Sequence, residues 1–185
     1  MTPLSLHSRQ GLPDSLRLLL PLYPRADWSD HRNFDGLIAF WLDRHIGFRS
    51  MTARMAEQAQ AFLDRTEEPA VLAGRLARLG NRFLQDLHGH HGIEDAHFFP
   101  RLTVLEPRLA LGFEMLEADH QAIDGVLARF AASANTLLTA PADLSLAGGF
   151  SHELGAITAL LDRHLVDEED LIVPVILDRG PQAFD

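Results

Sequence analysis

The sequence predicts an all-α protein, an up-down-up-down four-helix bundle, on three observations. From Asp30 onward apolar residues recur at intervals of three and four, almost no stretch alternates at two, and three proline-bearing turns cut the pattern into four long segments. Residues 1–28 read as an irregular arm, because Pro3, Pro13, Pro21 and Pro24 break any long helix there. The arm's leucines are expected to pack on the bundle, which takes residues 29–185.

The first helix is expected over about residues 30–64, capped by Ser29 or Asp30. It buries a stripe of Phe34, Ile38, Trp41, His45, Phe48, Thr52, Met55, Ala59 and Phe62. Thr66, Glu67, Glu68 and Pro69 form a turn and helix start, with acids near the positive end of the dipole and proline in the first turn. The second stripe is Leu72, Leu76, Leu79, Phe83, Leu87, His90, Glu94 and His97, with Pro100 limiting its length. After a turn between Pro100 and Pro107, the third helix carries Leu109, Phe113, Leu116, His120, Ile123, Leu127 and Phe130 and fades after about Leu138. Thr139 to Gly149 reads as a loop, and the fourth stripe is Phe150, Leu154, Ile157, Leu161, His164, Glu168 and Leu171.

Composition narrows the chemistry. A chain of 185 residues that is 46% apolar suits one domain with a sizeable core. Its formal net charge of −10 repels nucleic acid and anionic membranes. The absence of Cys excludes disulfides, a catalytic thiol, thiolate zinc and cysteine-ligated iron–sulfur clusters, and the absence of Lys excludes a lysine Schiff base. Ten His remain, so any metal must be held by imidazole and carboxylate. Leu16 to Leu22 is too short, and too interrupted by Arg17 and Pro21, to serve as a span or targeting signal, so a cytoplasmic location is expected.

The four stripes share an anomaly, a His at a core position in each: His45, His90, His120 and His164. The second and fourth add a Glu one turn later, and His90, Glu94, Pro100 and His164, Glu168, Pro174 repeat with identical spacing. His90 follows His45 by 45 residues and His164 follows His120 by 44, so two similar hairpins return their imidazoles to one level. Two buried carboxylates in that layer would repel or share a proton unless cations neutralise them. A dinuclear centre follows, each Glu bridging and two His ending on each metal, with iron the best match and zinc or manganese chemically possible.

These residues resemble the hemerythrin-like, or HHE cation-binding, family over roughly residues 30–178. The stretch His90, His91, Glu94, Asp95, Phe98, Phe99, Pro100 is similar to that family's second-helix signature, and His164, Glu168, Glu169, Pro174 to its fourth. The resemblance implies two iron ions in a non-heme, oxo- or hydroxo-bridged pair, with Glu94 and Glu168 bridging and His45, His90, His120 and His164 terminal. It implies dioxygen, peroxide or nitric oxide as the small ligand. Oxygen-carrying members have a second His where Asp124 stands and an Asp five residues after the fourth-helix His, where this chain has Glu168 at four. Reversible oxygen carriage is therefore not carried over.

Several residues have competing readings. Glu94 and Glu168 have an alternative as buried pairs with Arg, since Arg49 lies one turn after His45, but Arg49 is expected to support the ligands from outside, and Asp124 is a ligand, an outer acceptor or a solvated acid. His97 is expected to line the pocket, His91 to serve a structural or outer role because it points about 100° from His90, and His7, His31, His88 and His152 to be surface or capping groups. Glu94 with His97 and Glu117 with His120 also fit the ferritin-like Glu-x-x-His, but they sit on consecutive helices and leave His45, His164 and Glu168 unused. In function, a sensing or buffering module competes with a di-iron redox enzyme, of peroxidase, nitric oxide reductase or ferroxidase type, and with a metal-free interaction scaffold.

Overall fold

The computed structural model describes residues 4–34 and 36–184, and the expectations that touch Pro3 lie outside the described residues. Among the described residues every regular element is helical: α1 Gly36–Leu63, α2 Pro69–Ile93, α3 Phe99–Leu105, α4 Ala110–Thr139 and α5 Leu144–Arg179. A π-helical turn, Glu94–Phe98, joins α2 to α3, and short 3-10 turns occur at Asp14–Leu16, Arg25–Asp30, Pro107–Leu109 and Pro181–Phe184. The fold is the expected all-α bundle. Among the described residues no helix is long and apolar enough to cross a membrane.

Contacts divide the chain into two compact units, Met1–Ile46 with His91–His120 and Asp162–Asp185, and Gly47–His90 with Gln121–Leu161. In the first, the arm's Leu12, Leu16 and Leu19 enter one apolar cluster with Trp28, Ile38, Trp41, Phe113, Leu116 and Ile176. The arm leucines therefore pack as the sequence suggested. In the second, four buried rings run in sequence, Phe48 to Phe83 at 6.4 Å, Phe83 to Phe130 at 5.9 Å and Phe130 to Phe150 at 5.5 Å between centroids. Each fully buried Phe or Leu contributes about 1.5–3 kcal/mol, so the two cores can offset the cost of a buried polar layer.

Element boundaries differ from expectation at three places. α1 starts at Gly36, not near residue 30, because Ser29 and Asp30 belong to the 3-10 turn Arg25–Asp30 and cap nothing there. Pro100 does not end the helical run. The π turn, in which the Phe99 N–H reaches the Glu94 carbonyl, resets the ladder so that Pro100 falls in the first turn of α3, where a missing N–H costs least. The loop expected to reach Gly149 ends at Asp143, whose carboxylate accepts from the Ser145 N–H at 2.8 Å and the Leu146 N–H at 3.2 Å and so starts α5 early. Pro69, by contrast, opens α2 as expected.

Glu106 ties the α3–α4 turn to the end of α5. Its buried carboxylate accepts a bidentate pair from Arg108 at 2.6 and 2.7 Å and a third bond from Arg179 at 2.9 Å, and Arg108 foremost holds its pKa down to about 2. Gly112 in α4 marks a close approach: a Cβ there would stand 2.8 and 3.0 Å from the Leu171 methyls. Gly155 in α5 has nothing within 4 Å. Gly112→Ala is therefore expected to destabilise by about 1 kcal/mol through overpacking, while Gly155→Ala stabilises by up to about 1 kcal/mol. Urea denaturation checks the opposite signs.

Candidate metal centre

The stripes carry their polar members into the interior because the apolar residues on either side of them are buried. Trp41 and Phe48 flank His45 on α1, Leu116 and Ile123 flank His120 on α4, and Leu161 and Leu171 flank His164 and Glu168 on α5. His45, His164 and Glu168 have no exposed surface, Glu94 has 1% and His120 has 3%. Thr52, Met55, Ala59 and Phe62 complete the α1 stripe as expected.

The donors gather in two groups, each with ligand atoms within 4.8 Å of one another: His45, His90, Glu94 and Glu168, and His91, His120 and His164. Glu168 Oε2 stands 3.5 Å from His45 Nε2 in one group and 3.4 Å from His164 Nε2 in the other. Glu94 Oε2 stands 3.6 Å from His120 Nε2. The two carboxylates are thus adjacent to both groups. All six residues singled out from the sequence fall within these groups.

His91 is the member that the sequence reading placed outside. It is buried, lies flat on His120 with centroids 3.9 Å apart and planes 9° apart, and meets His164 edge-on at 5.5 Å. A 100° step from His90 moves the ring to the other donor group rather than out of the interior. The His90–His91 doublet was the available signal. His97 is exposed, because the wider π turn that begins at Glu94 carries later residues off the stripe. Asp124 and Glu117 are exposed, which removes Asp124 from the interior and leaves the ferritin-like pairing without its second acid. His7, His88 and His152 are exposed, and His31 Nδ1 accepts from the Asn33 N–H at 3.2 Å.

A carboxylate holds the far nitrogen of three of the imidazoles. His45 Nδ1 lies 2.9 Å from Glu169 Oε1, His120 Nδ1 lies 2.8 Å from Asp95 Oδ1, and His164 Nδ1 lies 3.4 Å from Asp119 Oδ2. An ionised carboxylate only accepts, so Nδ1 carries the proton and Nε2 keeps its lone pair toward the two glutamates. The Trp41 indole N–H donates to Glu168 Oε1 at 2.7 Å and fixes that side chain. Two of these outer acids meet arginines of the arm, Asp119 with Arg9 and Glu169 with Arg25.

The arrangement fits cations. Ligands about 2.1 Å from one metal lie roughly 3.0–3.4 Å apart, close to the 3.4–3.6 Å spacings here and too long for strong hydrogen bonds. The buried His164 Nε2 makes no hydrogen bond. Imidazole with carboxylate is a borderline-to-hard donor set, suited to iron, manganese or zinc.

The hemerythrin HHE cation-binding domain model matches residues 26–177. No curated protein matches the chain at a significant level, and no solved structure does.

Burial pushes the Glu94 carboxyl up to about 8, its hydrogen bond with Glu168 offsets part of the shift, and the charge of Asp95 adds to it. Since the unfolded value is near 4.5, the metal-free folded chain holds a proton that the unfolded chain releases, and it loses stability as pH rises from 4.5 toward 8. A cation must displace that proton. Co2+ affinity, measured by competition titration, is expected to rise by up to about tenfold per pH unit below pH 8 and to level off above it. In metal-free protein, Glu94→Gln should flatten the fall in melting temperature between pH 5 and 8.

Proposed function

Because the chain belongs to the hemerythrin HHE cation-binding domain family, we propose that it is a non-heme di-iron protein acting as an oxygen-, redox- or iron-responsive binding protein. The two donor groups that meet at Glu94 and Glu168 carry this reading. Glu94 and Glu168 would be shared by the two irons, with His45 and His90 ending on one and His120 and His164 on the other. His91 joins the His120 side. Bound there, the iron pair supplies one-electron redox chemistry and open positions for dioxygen, peroxide or nitric oxide.

The residues of the chain prepare that site in three ways. Glu169, Asp95 and Asp119 set the tautomers, so the lone pairs are aimed before a metal arrives. Trp41 holds one oxygen of Glu168 and leaves the other toward His45 and His164. Phe99, with its ring 5.5 Å from that of His120, and Phe48, at 5.1 Å from that of His90, help keep water from the imidazoles. The His45 side has one fewer histidine than the His120 side, which leaves it more room for a small ligand.

A redox enzyme is the second reading, and Asp95 favours it. Its carboxylate is 35% exposed while it holds the His120 Nδ1 proton, giving the imidazole a link to solvent. Turnover of peroxide with a reductant supports this reading, and a stable adduct without consumption supports the binding protein.

Anaerobic loading with ferrous iron, metal counting and an optical spectrum after exposure to oxygen test the proposal. About two irons per chain with oxo-to-iron charge-transfer bands are expected, and His120→Ala or His164→Ala should lower the stoichiometry. Full loading of a Glu94→Ala, Glu168→Ala double variant would contradict the ligand assignment.

A further inference from the structure

The arm reaches the interior with two arginines, both outside the family-matched residues 26–177. The Arg9 side chain has no exposed surface and is clamped between two carboxylates, pairing with Asp119 and donating from Nε to Asp167 Oδ2 at 2.7 Å. Asp119 is the acid that faces His164 Nδ1. Arg25 donates from Nη1 to Glu169 Oε2 at 2.7 Å, from Nε to Asp170 Oδ1 at 2.6 Å and from Nη2 to the Val166 carbonyl at 2.9 Å. Glu169 is the acid bound to His45 Nδ1. Each arginine therefore acts on a histidine through one carboxylate, and the two histidines belong to different donor groups.

We propose that Arg9 and Arg25 are positioning residues of the dinuclear centre and that the arm is a strap whose docking and metal binding strengthen each other. This rests on the di-iron reading above. The coupling has a direct physical route. A buried carboxylate needs a counter-charge to stay ionised, and a guanidinium bonded to it also fixes its rotamer. Fixed in that way, Glu169 and Asp119 hold the Nδ1 protons of His45 and His164 and aim their Nε2 atoms. A cation on Nε2 makes the Nδ1–H a stronger donor, which strengthens the carboxylate contact and with it the contact to the arm. Linkage then requires the arm to favour metal as much as metal favours the arm.

The rest of the arm is cross-linked within itself and to α5. Trp28 donates to the Tyr23 carbonyl at 2.8 Å and lies under Arg25 at 4.9 Å, while the Tyr23 hydroxyl donates to Asp178 at 2.8 Å. Among the described residues its regular structure is limited to two 3-10 turns, so no long helix needs to break for it to lift.

Co2+ is the probe, because its visible absorption reports coordination without activity. In the full chain, hydrogen exchange of peptides within residues 4–30 is expected to slow several-fold on Co2+ loading. Arg25→Gln, a change at a partly exposed side chain, should weaken Co2+ binding by about tenfold and alter the visible bands while leaving the stoichiometry unchanged. Arg25→Lys should recover part of the affinity. Arm exchange unchanged by bound Co2+, or wild-type affinity and spectrum in Arg25→Gln, would overturn the strap while leaving the metal centre standing. Equal Co2+ binding by the Glu94→Ala, Glu168→Ala variant would instead overturn the centre, and the strap with it.

Discussion

Two carboxylates in a dry layer are the constraint on which the structure depends. Glu94 and Glu168 have almost no contact with solvent, and imidazoles stand 3.4–3.6 Å from their carboxylate oxygens. An ionised acid in such a place costs several kcal/mol, and a neighbouring acid raises the cost. Without metal the layer relieves part of this by keeping Glu94 protonated, as its raised pKa shows. The same atoms could hold cations, so the layer that weakens the metal-free fold is also the one suited to bind them.

Around that layer charge is arranged in shells of alternating kind. Imidazoles face the two glutamates, acids hold the outer nitrogens of three imidazoles, and arm arginines hold two of those acids. Asp95, the third acid, is partly exposed. Breaking a shell leaves a buried charge without its partner, which costs more than the pair contributes, so the shells act as a unit.

The helical stripes were legible because burial in a helical layer obeys the 3.6-residue period, and His45, Phe48 and Met55 keep that period without interruption. His45, Glu94, His120, His164 and Glu168 are buried for the same reason, while His90 is half-buried. What the sequence left hidden followed from departures from the regular helix. The π turn at Glu94–Phe98 took His97 off its stripe and let the chain run through Pro100, and neither effect has a signature in local composition. His91 was passed over because stripe reasoning admits one face, whereas a helix contributing to two neighbouring donor groups uses two. The pairing of Arg9 with Asp167 spans 158 residues, a separation that no local pattern encodes.

Anomalous diffraction at the iron edge from crystals of the iron-loaded protein tests the central claim most directly. The account predicts two peaks roughly 3.5 Å apart, with the Glu94 and Glu168 carboxylates touching both. A single peak, or two peaks with either glutamate turned away from them, would contradict it.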